Sequence, residues 1–280
     1  MVIATPIGNL GDITLRALDT LKRVDVIACE DTRVSRRLLD RYAISTSTLA
    51  YHEHNAERVR PMLIERLKRG DSIGLVTDAG TPLISDPGFK LVQAAIDADV
   101  PVTALPGPTA MIMALTVAGL PTDRFMFAGF LPNRQKARRR TLEELRALDA
   151  TLVFYDSPRR LAATLADMTE VLGARDVAVG RELTKLYEEV IRGPIDEIAR
   201  RYADAPAPRG EIVIVVGPPK ATPFDESSLD DVLIQVLPHH SLRDAVDRVT
   251  ADTGLPRRMV YRRALTLGKQ VDAKSRMSDK

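Results

Sequence analysis

Short apolar runs alternate with longer amphipathic stretches over the first 120 residues of the chain. Runs rich in β-branched residues predict buried strands at residues 2–4, 24–28, 72–77 and 100–104. Apolar residues spaced i, i+3, i+4 and i+7 predict helices at residues 15–23, 33–41, 56–69 and 89–97. Because the strands are apolar throughout and alternate with helices, we expect residues 1–120 to form an α/β domain whose parallel sheet is covered on both faces.

A second alternating set follows a turn cluster at residues 119–123. Its strands are predicted at residues 125–129, 151–154, 177–181 and 211–216. Its helices are predicted at residues 138–148, 160–172 and 195–202, and residues 186–192 are predicted to add a short strand or hairpin. Residues 124–218 are therefore expected to form a second α/β domain.

The end of the chain is predicted to be helical. A Pro- and acid-containing linker at residues 218–228 precedes helical segments at residues 229–237, 241–253 and 257–267. Ser241 and Asp244 have the spacing of a capping box, and Gly254 stands where a helix would end. Residues 228–270 thus have the outline of a helix-turn-helix segment, although a helical tail packed on the rest of the protein has the same outline.

Composition and charge narrow the class of protein. Hydrophobic residues make up 45% and charged residues 28%, which is typical of a globular chain rather than a disordered one. The 40 Lys and Arg residues nearly balance the 38 Asp and Glu residues, which excludes a polycation. No stretch has the length of a membrane span or the pattern of a signal peptide, and Cys29 is the single cysteine. We therefore expect a cytoplasmic protein with no membrane association.

Loops rich in Gly and Pro follow three of the predicted strands, at residues 5–12, 78–88 and 105–110. Ligands bind at the carboxyl ends of strands in parallel α/β sheets. Connecting loops usually need about 2–6 residues, so the longer loop at 78–88 indicates a binding loop, with a surface excursion as the alternative. The first loop has Pro6 and only two glycines, which disfavours a dinucleotide fingerprint and a nicotinamide cofactor.

Charged residues also follow the second predicted strand. Glu30, Asp31 and Arg33 are candidates for polar groups facing a shared cleft, while Asp31 is equally suited to cap the next helix. His52 and His54 alternate with a glutamate, but two histidines without a third ligand do not predict a metal site.

Two clusters of basic residues indicate a polyanionic partner. A charge run is usually a solvated helix face, but two separate clusters on a nearly neutral chain favour an extended polyanion over a small anion. The predicted contacts to this polyanion are Arg134, Lys136, Arg138, Arg139 and Arg140 in the first cluster, Arg258 and Arg262 in the second, and Arg33 outside both.

Eight motifs stand in the order found in one known family. They are TPIGNLGD (5–12), EDTR (30–33), DAGTP with DPG (78–88), LPGPTA (105–110), GFLP (129–132), FYDSPRR (154–160), RELTK (181–185) and GEIV (210–213). Together they closely resemble the bacterial 16S rRNA methyltransferases of the tetrapyrrole methylase superfamily, the class III S-adenosylmethionine-dependent methyltransferases. The resemblance covers residues 2–217, and the helical tail resembles the helix-turn-helix segment that ends such proteins.

The resemblance implies a fold, an activity and a set of site residues. Two α/β domains of the tetrapyrrole methylase type would hold S-adenosylmethionine in the cleft between them. The reaction would methylate the ribose 2′-oxygen of a cytidine in the decoding region of 16S rRNA, as naked RNA or in the small ribosomal subunit, and the protein would be a homodimer. The implied donor-site residues are Pro6, Gly8, Gly11, Asp78, Ala79, Gly80, Thr81, Pro82, Ile84, Ser85, Pro106, Gly107, Thr109, Tyr155 and Leu183.

This chemistry requires alignment of a methyl group that is already activated and removal of the proton from a ribose hydroxyl. The candidates for the base are Glu30, Asp31, Asp78, Glu182 and Lys185. We expect Asp31 or Lys185 to matter most, although a lysine acts as a base only when desolvated or near other cations. A methyltransferase of a tetrapyrrole or another small molecule is the alternative. A nucleic-acid-binding regulator with an idle cleft is a further alternative.

Overall fold

The computed structural model describes residues 1–220, 226–253 and 255–278, and the side chains of all these except residues 226–228 and 268–278. The chain divides into two compact units, Met1–Lys220 and Ala221–Lys280. The first unit contains both predicted α/β domains, and the second contains the predicted helical tail. The predicted linker at 218–228 spans this division, and residues 221–225 and Gly254 lie outside the described residues.

The first sheet is entirely parallel, as the apolar strand pattern predicted. Its strands run in the order β3-β2-β4-β1-β5. They are β1 (Val2–Ile3), β2 (Val26–Cys29), β3 (Thr48–Ala50), β4 (Ile73–Val76) and β5 (Ala104–Leu105). The helices are α1 (Leu15–Arg23), α2 (Thr32–Arg41), α3 (Ala56–Lys68), α4 (Phe89–Asp97) and α5 (Ala110–Ala118). Because all five strands point the same way, the loops after them meet at one edge of the sheet.

Two strands of this sheet differ from the prediction. The edge strand β3 was not predicted, because its three half-buried residues are too few to form a hydrophobic pattern. The strand predicted at 100–104 is reduced to β5, which pairs only with β1. Pro101 has no N–H to donate to a strand ladder, which explains why the pairing begins after it.

The second sheet is mixed and runs in the order β6-β7-β10-β8-β9. Only the β6–β7 pair is parallel, and the other three pairs are antiparallel. The strands are β6 (Phe125–Phe130), β7 (Thr151–Asp156), β8 (Asp176–Arg181), β9 (Glu189–Pro194) and β10 (Ile212–Val216). The helices are α6 (Gln135–Leu145), α7 (Leu161–Leu172) and α8 (Ile195–Ala203).

The two faces of the second sheet are covered by different parts of the chain. Side chains alternate across a strand, so Ile212 and Ile214 of β10 lie in the core formed with α6, α7 and α8. Val213 and Val215 lie on the other face, in a cluster with Ala114, Leu115 and Ala118 of α5. Helix α5, which follows the last strand of the first sheet, therefore packs on the second sheet and joins the two domains.

The second unit is helical, as predicted. It consists of α9 (Glu226–Val236), α10 (Leu242–Thr253) and α11 (Arg257–Ser278), and α11 continues beyond the predicted residue 267. Leu233, Val249 and Val260 form part of its own apolar core. Ser241 caps the start of α10, with the Asp244 N–H donating to Ser241 Oγ at 3.2 Å, and the Ser241 hydroxyl donates to Asp244 Oδ2 at 2.7 Å. Among the described residues, no helix is long and apolar enough to cross a membrane.

Candidate active site

The loops after β1, β4 and β5 are joined by hydrogen bonds at the carboxyl edge of the first sheet. The backbone N–H of Thr5 donates to the Gly80 oxygen at 2.8 Å, and the N–H of Gly80 donates back at 3.1 Å. The hydroxyl of Thr81 donates to the Pro108 oxygen at 3.0 Å. Three of the loops selected from the sequence therefore form one structure.

Close backbone contacts and strained residues shape these loops. A Cβ added to Gly107 would lie 2.7 Å from the Cβ of Ala4, so the loops after β1 and β5 can only approach this closely with glycine at position 107. Leu83 and Ser85 adopt positive φ angles of 74° and 63°, which side-chain-bearing residues rarely do. Such strain is typical of ligand-binding segments, which are held by the surrounding structure.

A cavity of about 260 Å³, the central cavity, lies where these loops face β7 and β10 of the second sheet. The predicted donor-site residues that line it are Ala79, Gly80, Thr81, Ile84, Ser85, Thr109 and Tyr155. Two further cavities share residues with it. The side cavity, of about 320 Å³, shares Ile7, Ala79 and Glu211, and the outer cavity, of about 580 Å³, shares Ser85 and Asp86.

The other predicted donor-site residues lie around the central cavity rather than on its wall. Pro6, Gly8 and Asp78 line the side cavity together with Ala79. Leu183 is buried in the cluster between α5 and the second sheet. Gly11, Pro82, Pro106 and Gly107 line neither of these two cavities.

Tyr155 gives the central cavity an aromatic wall. Its hydroxyl accepts the N–H of Met111 at 3.3 Å, and its ring meets Phe127 and Phe130 edge-on at 4.8 and 5.6 Å. Burial raises the pKa of Tyr155, so the phenol stays protonated at neutral pH. An apolar wall with a few fixed polar groups is typical of a small-molecule site.

Asp156 lines the same cavity and was not among the predicted site residues. Its Oδ1 accepts the Ser157 N–H at 2.8 Å and lies 3.3 Å from Arg160 Nε. Its Oδ2 is buried and has no hydrogen-bond partner in the protein. A buried acceptor without a partner costs free energy, so the environment of this oxygen is unusual. The FYDSPRR motif drew attention to this segment, but not to this carboxylate.

Three carboxylates cluster near the ends of β2 and β4. The hydroxyl of Thr77 donates to Glu30 Oε2 at 3.2 Å, and the N–H of Asp31 donates to Asp78 Oδ1 at 3.1 Å. Burial raises the pKa of Asp86 to about 6, and the nearby charges of Glu30 and Asp78 add to this rise. Burial also raises the pKa of Asp78. Asp86, which sequence reasoning missed, is therefore a carboxyl group that titrates close to neutral pH.

Asp31 is held in a different way, as the N-cap of α2. Its Oδ1 accepts the N–H of Arg33 at 2.8 Å, and its Oδ2 lies 2.6 Å from the Arg33 guanidinium. Hydrogen bonds from Arg33 lower the pKa of Asp31 to about 2. Such a weak base is poorly suited to take a proton at neutral pH, so this environment favours the capping role that the sequence left open.

Lys185 is bound by two carboxylates. Its Nζ lies 2.8 Å from Glu182 Oε1 and 3.0 Å from Glu211 Oε2. Desolvation lowers the pKa of Lys185, but the hydrogen bonds to Glu182 and Glu211 outweigh it and hold the pKa above its usual value. The hydrogen bond from Lys185 lowers the pKa of Glu182 in turn. Both groups are therefore charged at neutral pH, which disfavours Lys185 as a base.

The stem of Lys185 also crosses from the second domain to the loop after β1. A Cβ added to Gly8 would lie 2.5 Å from Lys185 Cγ, so glycine is required for this approach. Lys185 lines the side cavity with Gly8 and Asp78. This arrangement indicates that Lys185 positions the loop of residues 5–12 against the second domain.

The basic cluster at the start of α6 is partly buried. Arg134, Lys136 and Arg140 are exposed. Arg139 is half-exposed and lies 2.7 Å from Asp167 and 2.5 Å from Glu170. The structure contradicts the prediction that Arg138 contacts RNA, because its guanidinium is buried and lies 2.6 Å from Asp167, which is 1% exposed. Arg138, Leu142 and Leu145 form the buried face of α6, so helical spacing in the sequence already contained this signal.

The remaining predicted residues lie at the surface or in the outer cavity. Arg33 is 88% exposed despite its ion pair with Asp31. Arg258 and Arg262 are exposed one turn apart on α11 of the second unit. Glu30, His52 and His54 line the outer cavity with Asp86. Among the described residues, no three His, Cys, Asp or Glu side chains are grouped so as to hold a metal ion.

Comparison with known proteins identifies relatives of both units. Residues 1–199 match the family model of the tetrapyrrole (corrin/porphyrin) methylases, and residues 224–268 match the model of the RsmI C-terminal HTH domain. The ribosomal RNA small subunit methyltransferase I of Mesorhizobium japonicum is 51% identical over 95% of this chain and 91% of its own length. Its namesake in Halalkalibacterium halodurans is 45% identical over 93% of this chain and 92% of its own length.

Solved structures share the fold of the first unit. A diphthine synthase superposes with a TM-score of 0.61 at 14% identity and covers 77% of this chain and 88% of its own. A cobalt precorrin-4 methyltransferase superposes with a TM-score of 0.56 at 18% identity, and the match covers 77% of this chain and 93% of the methyltransferase chain. These matches confirm the fold that the ordered motifs indicated.

Proposed function

The chain belongs to the tetrapyrrole methylase family, and on this premise we propose that it is an S-adenosylmethionine-dependent methyltransferase of 16S rRNA. Its product would be a 2′-O-methylated cytidine in the decoding region. The names of the relatives that match over nearly the whole chain support an rRNA substrate. The observation that carries the proposal is a central cavity between two domains, formed by the hydrogen-bonded loops of the first domain and by the aromatic ring of Tyr155 in the second.

The residues around the central cavity fit the proposed donor. S-adenosylmethionine carries amino and hydroxyl groups, and the carboxylates of Asp86 and Asp156 on the cavity wall are acceptors suited to them. Tyr155 and Phe130 offer an aromatic surface, and Thr109 and Thr81 offer hydroxyls. When bound, the donor supplies an electrophilic methyl group on a positively charged sulfur.

The contribution of the protein to such a transfer is alignment and proton removal. Hydrogen bonds hold the loops around Thr5, Gly80 and Pro108 in place, and these loops form the wall on which a donor would lie. Because this wall is already ordered, aligning the reactants on it would cost little further conformational entropy of the protein. The second domain contributes Tyr155 and Val213 to the wall opposite these loops, which would limit the access of water to a bound donor. Asp31 and Lys185, which the sequence favoured as the base, each form an ion pair, with Arg33 and Glu182 respectively.

Exposed arginines and lysines supply the proposed RNA contacts. Arg134, Lys136 and Arg140 border the first turn of α6, and Arg33 lies at the start of α2. Arg258 and Arg262 form a second basic surface in the helical unit. Arginine binds phosphate through parallel hydrogen bonds, and phosphate contacts supply much of the affinity of proteins for RNA.

A homodimer and a cytoplasmic location belong to the same proposal. Strand β6 is an edge strand, and Phe125 and Met126 on it are about 40% exposed. Exposed apolar residues on a free sheet edge favour pairing with a second copy. A Phe125→Glu, Met126→Lys double variant is expected to be a monomer in light scattering, whereas an unchanged mass would exclude this edge as the dimer surface. A buried, unpaired Cys29 and an rRNA substrate fit the cytoplasm.

The alternative substrate is a tetrapyrrole or another small molecule, in keeping with the names of the structural neighbours. A methyltransferase of this kind needs neither the exposed basic surfaces nor a helix-turn-helix unit, both of which favour RNA.

Incubation with isotope-labelled S-adenosylmethionine separates the two substrates. Purified 16S rRNA and small ribosomal subunits lacking the modification would be digested to nucleosides after the reaction. We expect label in 2′-O-methylcytidine from one of the two. Donor binding in calorimetry without label in any nucleoside would contradict the RNA proposal and favour the small-molecule alternative.

A further inference from the structure

Three arginines form one stripe on the exposed side of α2. Arg33, Arg37 and Arg41 are spaced four residues apart and are all exposed, so they follow one another along the helix surface. Arg33 is paired with Asp31, but among the described residues neither Arg37 nor Arg41 forms an ion pair. Like charges at this spacing repel one another. These three arginines, the basic stripe, are therefore suited to bind a polyanion that neutralises them.

The basic stripe runs along the rim of the side cavity. Val34 and Arg37 line this cavity, and Val34 is 38% exposed, so the exposed face of α2 borders the cavity. Arg41 lies about one helical turn beyond Arg37. The hydroxyl of Tyr42, the next residue, donates to the Leu10 oxygen at 2.8 Å and so ties α2 to the loop after β1. The rim that carries the arginines is thus fixed to the loop that forms the opposite wall.

The side cavity meets the central cavity at three shared residues. Ile7, Ala79 and Glu211 line both cavities. The volume of the side cavity, about 320 Å³, lies within the range of about 300–1,000 Å³ that is typical of small-molecule sites. On the proposed function, the methyl group of the donor lies in the central cavity, and the ribose of the target nucleotide must reach it from a neighbouring space. The side cavity meets this requirement.

The outer cavity also borders the central cavity, but its charge disfavours RNA. Glu30, Glu53 and Asp86 line it, and no Lys or Arg is among the residues of its wall. Carboxylates repel the phosphates on both sides of a target nucleotide. The side cavity also contains two carboxylates, but Arg37 and Lys185 in its wall balance them. Charge therefore favours the side cavity as the space that an RNA strand enters.

We propose that the basic stripe binds phosphates of the rRNA strand and that the side cavity receives the target nucleotide, an inference that rests on the proposed function. A nucleotide of a single-stranded segment can enter a pocket while its flanking phosphates stay on a basic protein surface. Arg37 and Arg41 bind these phosphates, and the exposed side of Val34 contacts the nucleotide. The ribose then lies where the side cavity meets the central cavity, beside Ala79.

The first test measures the contribution of the basic stripe to RNA affinity. Filter binding of purified 16S rRNA between about 50 and 200 mM salt compares wild type with the Arg37→Ala, Arg41→Ala double variant. Loss of two contacts with a single strand should reduce the slope of log K against log salt by about 1.4, and Arg37→Ala alone by about 0.7. If the proteins bind equally at 1 M salt, a slope difference of 1.4 means about 25-fold weaker binding at 0.1 M.

Arg36→Ala is the matched control for this test. Arg36 is exposed on the same helix and lies 3.8 Å from Asp40, but it is about 100° from Arg37 around the helix axis and does not line the side cavity. We expect the salt slope of this variant to equal that of wild type. All of these variants should bind S-adenosylmethionine with a Kd within about threefold of wild type in calorimetry, because none of the changed residues lines the central cavity.

A second pair of variants tests the side cavity itself. Val34→Trp would fill part of the side cavity from its exposed edge, and His54→Trp would place the same side chain in the outer cavity. The readout is single-turnover methylation of small ribosomal subunits that lack the modification, at saturating donor. Val34→Trp is expected to be at least about tenfold slower than wild type, and His54→Trp to stay within about twofold. An unchanged donor Kd for Val34→Trp would show that the variant is folded and that only the acceptor is displaced.

The outcomes separate the parts of the proposal. Equal salt slopes for wild type and the double variant, or an equal reduction in Arg36→Ala and Arg37→Ala, would overturn the basic stripe as an RNA contact. A wild-type rate in Val34→Trp, or a joint loss of rate and donor binding, would overturn the side cavity as the acceptor site. Slow transfer in His54→Trp alone would assign the acceptor to the outer cavity. Failure of the wild-type protein to methylate RNA would instead refute the proposed function and the role of the side cavity with it, while the salt slopes would still decide on the basic stripe.

Discussion

Two groups of carboxylates, one in each α/β domain, are held in opposite ways. In the second domain, Asp167 is bound by Arg138 and Arg139, and Glu182 by Lys185. In the first domain, Asp86 lies near Glu30 and Asp78, and no cation in the described part of the chain forms an ion pair with it. The paired carboxylates have lowered pKa values and fix the structure, whereas burial beside like charges raises the pKa of Asp86. The comparison teaches that the partners of a carboxylate, rather than its place after a strand, decide whether it is suited to proton transfer.

The largest effect is expected from removing a cation from the paired group. In Arg138→Met, the buried Asp167 keeps only Arg139 and Gln135 as partners. Breaking a buried pair from one side typically costs about 3–5 kcal/mol, and urea denaturation at pH 7 should show a loss of that size. Arg140→Met, at a side chain that is 84% exposed, is the control and should change stability by less than about 0.5 kcal/mol.

The pH dependence of this loss follows from the pKa of Asp167. Burial raises that pKa, but hydrogen bonds and ion pairs from Arg139, Gln135 and Arg138 lower it more, so the net value lies below the usual range. A lowered carboxylate pKa stabilises the fold above the ordinary value of 3.8, and this stabilisation is lost as the pH falls through the folded-state value. The difference between wild type and Arg138→Met should shrink in acid, and a difference that grows there would contradict this account.

Asp156 combines both situations in one side chain, with Arg160 beside Oδ1 and no partner for Oδ2. Asp156→Asn keeps a carbonyl oxygen that can accept the Ser157 N–H, but it replaces the unpartnered acceptor Oδ2 with an NH2 group, which is a donor. Loss of a hydrogen bond to a charged group costs about 1.5–3 kcal/mol, so we expect calorimetry to show S-adenosylmethionine binding weakened about 10- to 100-fold. Unchanged affinity, with a folded variant, would mean that the donor does not use this oxygen.

A smaller effect is expected at Lys185, because its ion pairs are partly exposed. Lys185→Met should destabilise the protein by about 1 kcal/mol at pH 7, measured by urea denaturation. The lowered pKa of Glu182 means that this loss is full above pH 4.5 and fades as the pH falls through the folded-state value. Unchanged stability of Lys185→Met at pH 7 would contradict a stabilising role for these ion pairs.

The smallest effect concerns single arginines at the surface. Arg134→Ala should weaken RNA binding evenly across sequences and reduce the slope of log K against log salt by about 0.7, the value for one phosphate contact with a single strand. Filter binding between about 50 and 200 mM salt measures this slope. Arg138→Ala, once circular dichroism has shown that it is folded, should leave the slope unchanged because this residue is buried, and an equal change in both variants would contradict the distinction between an exposed Arg134 and a buried Arg138.

Most of the fold was predictable because its signals are local. The bounds of α1 and α4 follow the apolar spacing, and the buried pattern of β2 and β4 predicted a parallel sheet. The mixed direction of the second sheet was not predictable, because β10 inserts between β7 and β8 through long-range pairing. Strand β3 was missed because its three half-buried residues are too few to show an alternation of apolar and polar positions.

The sequence predicted the loops that form the candidate site, but it did not predict the pKa values of the ionisable side chains there. Glycines and prolines after the strands indicate loops of fixed shape, and those loops meet around the central cavity. The cap formed by Asp31 was visible in the sequence as an alternative role. Burial is the main cause of the raised pKa of Asp86, and the charge of Glu30, 56 positions away, adds to it, so no local pattern distinguishes Asp86 from Asp31.

The most direct test of the account is mass-spectrometric mapping of ribose methylation in 16S rRNA from cells whose gene for this protein has been deleted. The account predicts that one 2′-O-methylated cytidine in the decoding region disappears. Wild-type protein should restore it, and so should Asp97→Asn, a change at an exposed residue at the end of α4. A methylation map that is the same with and without the protein would contradict the proposed function.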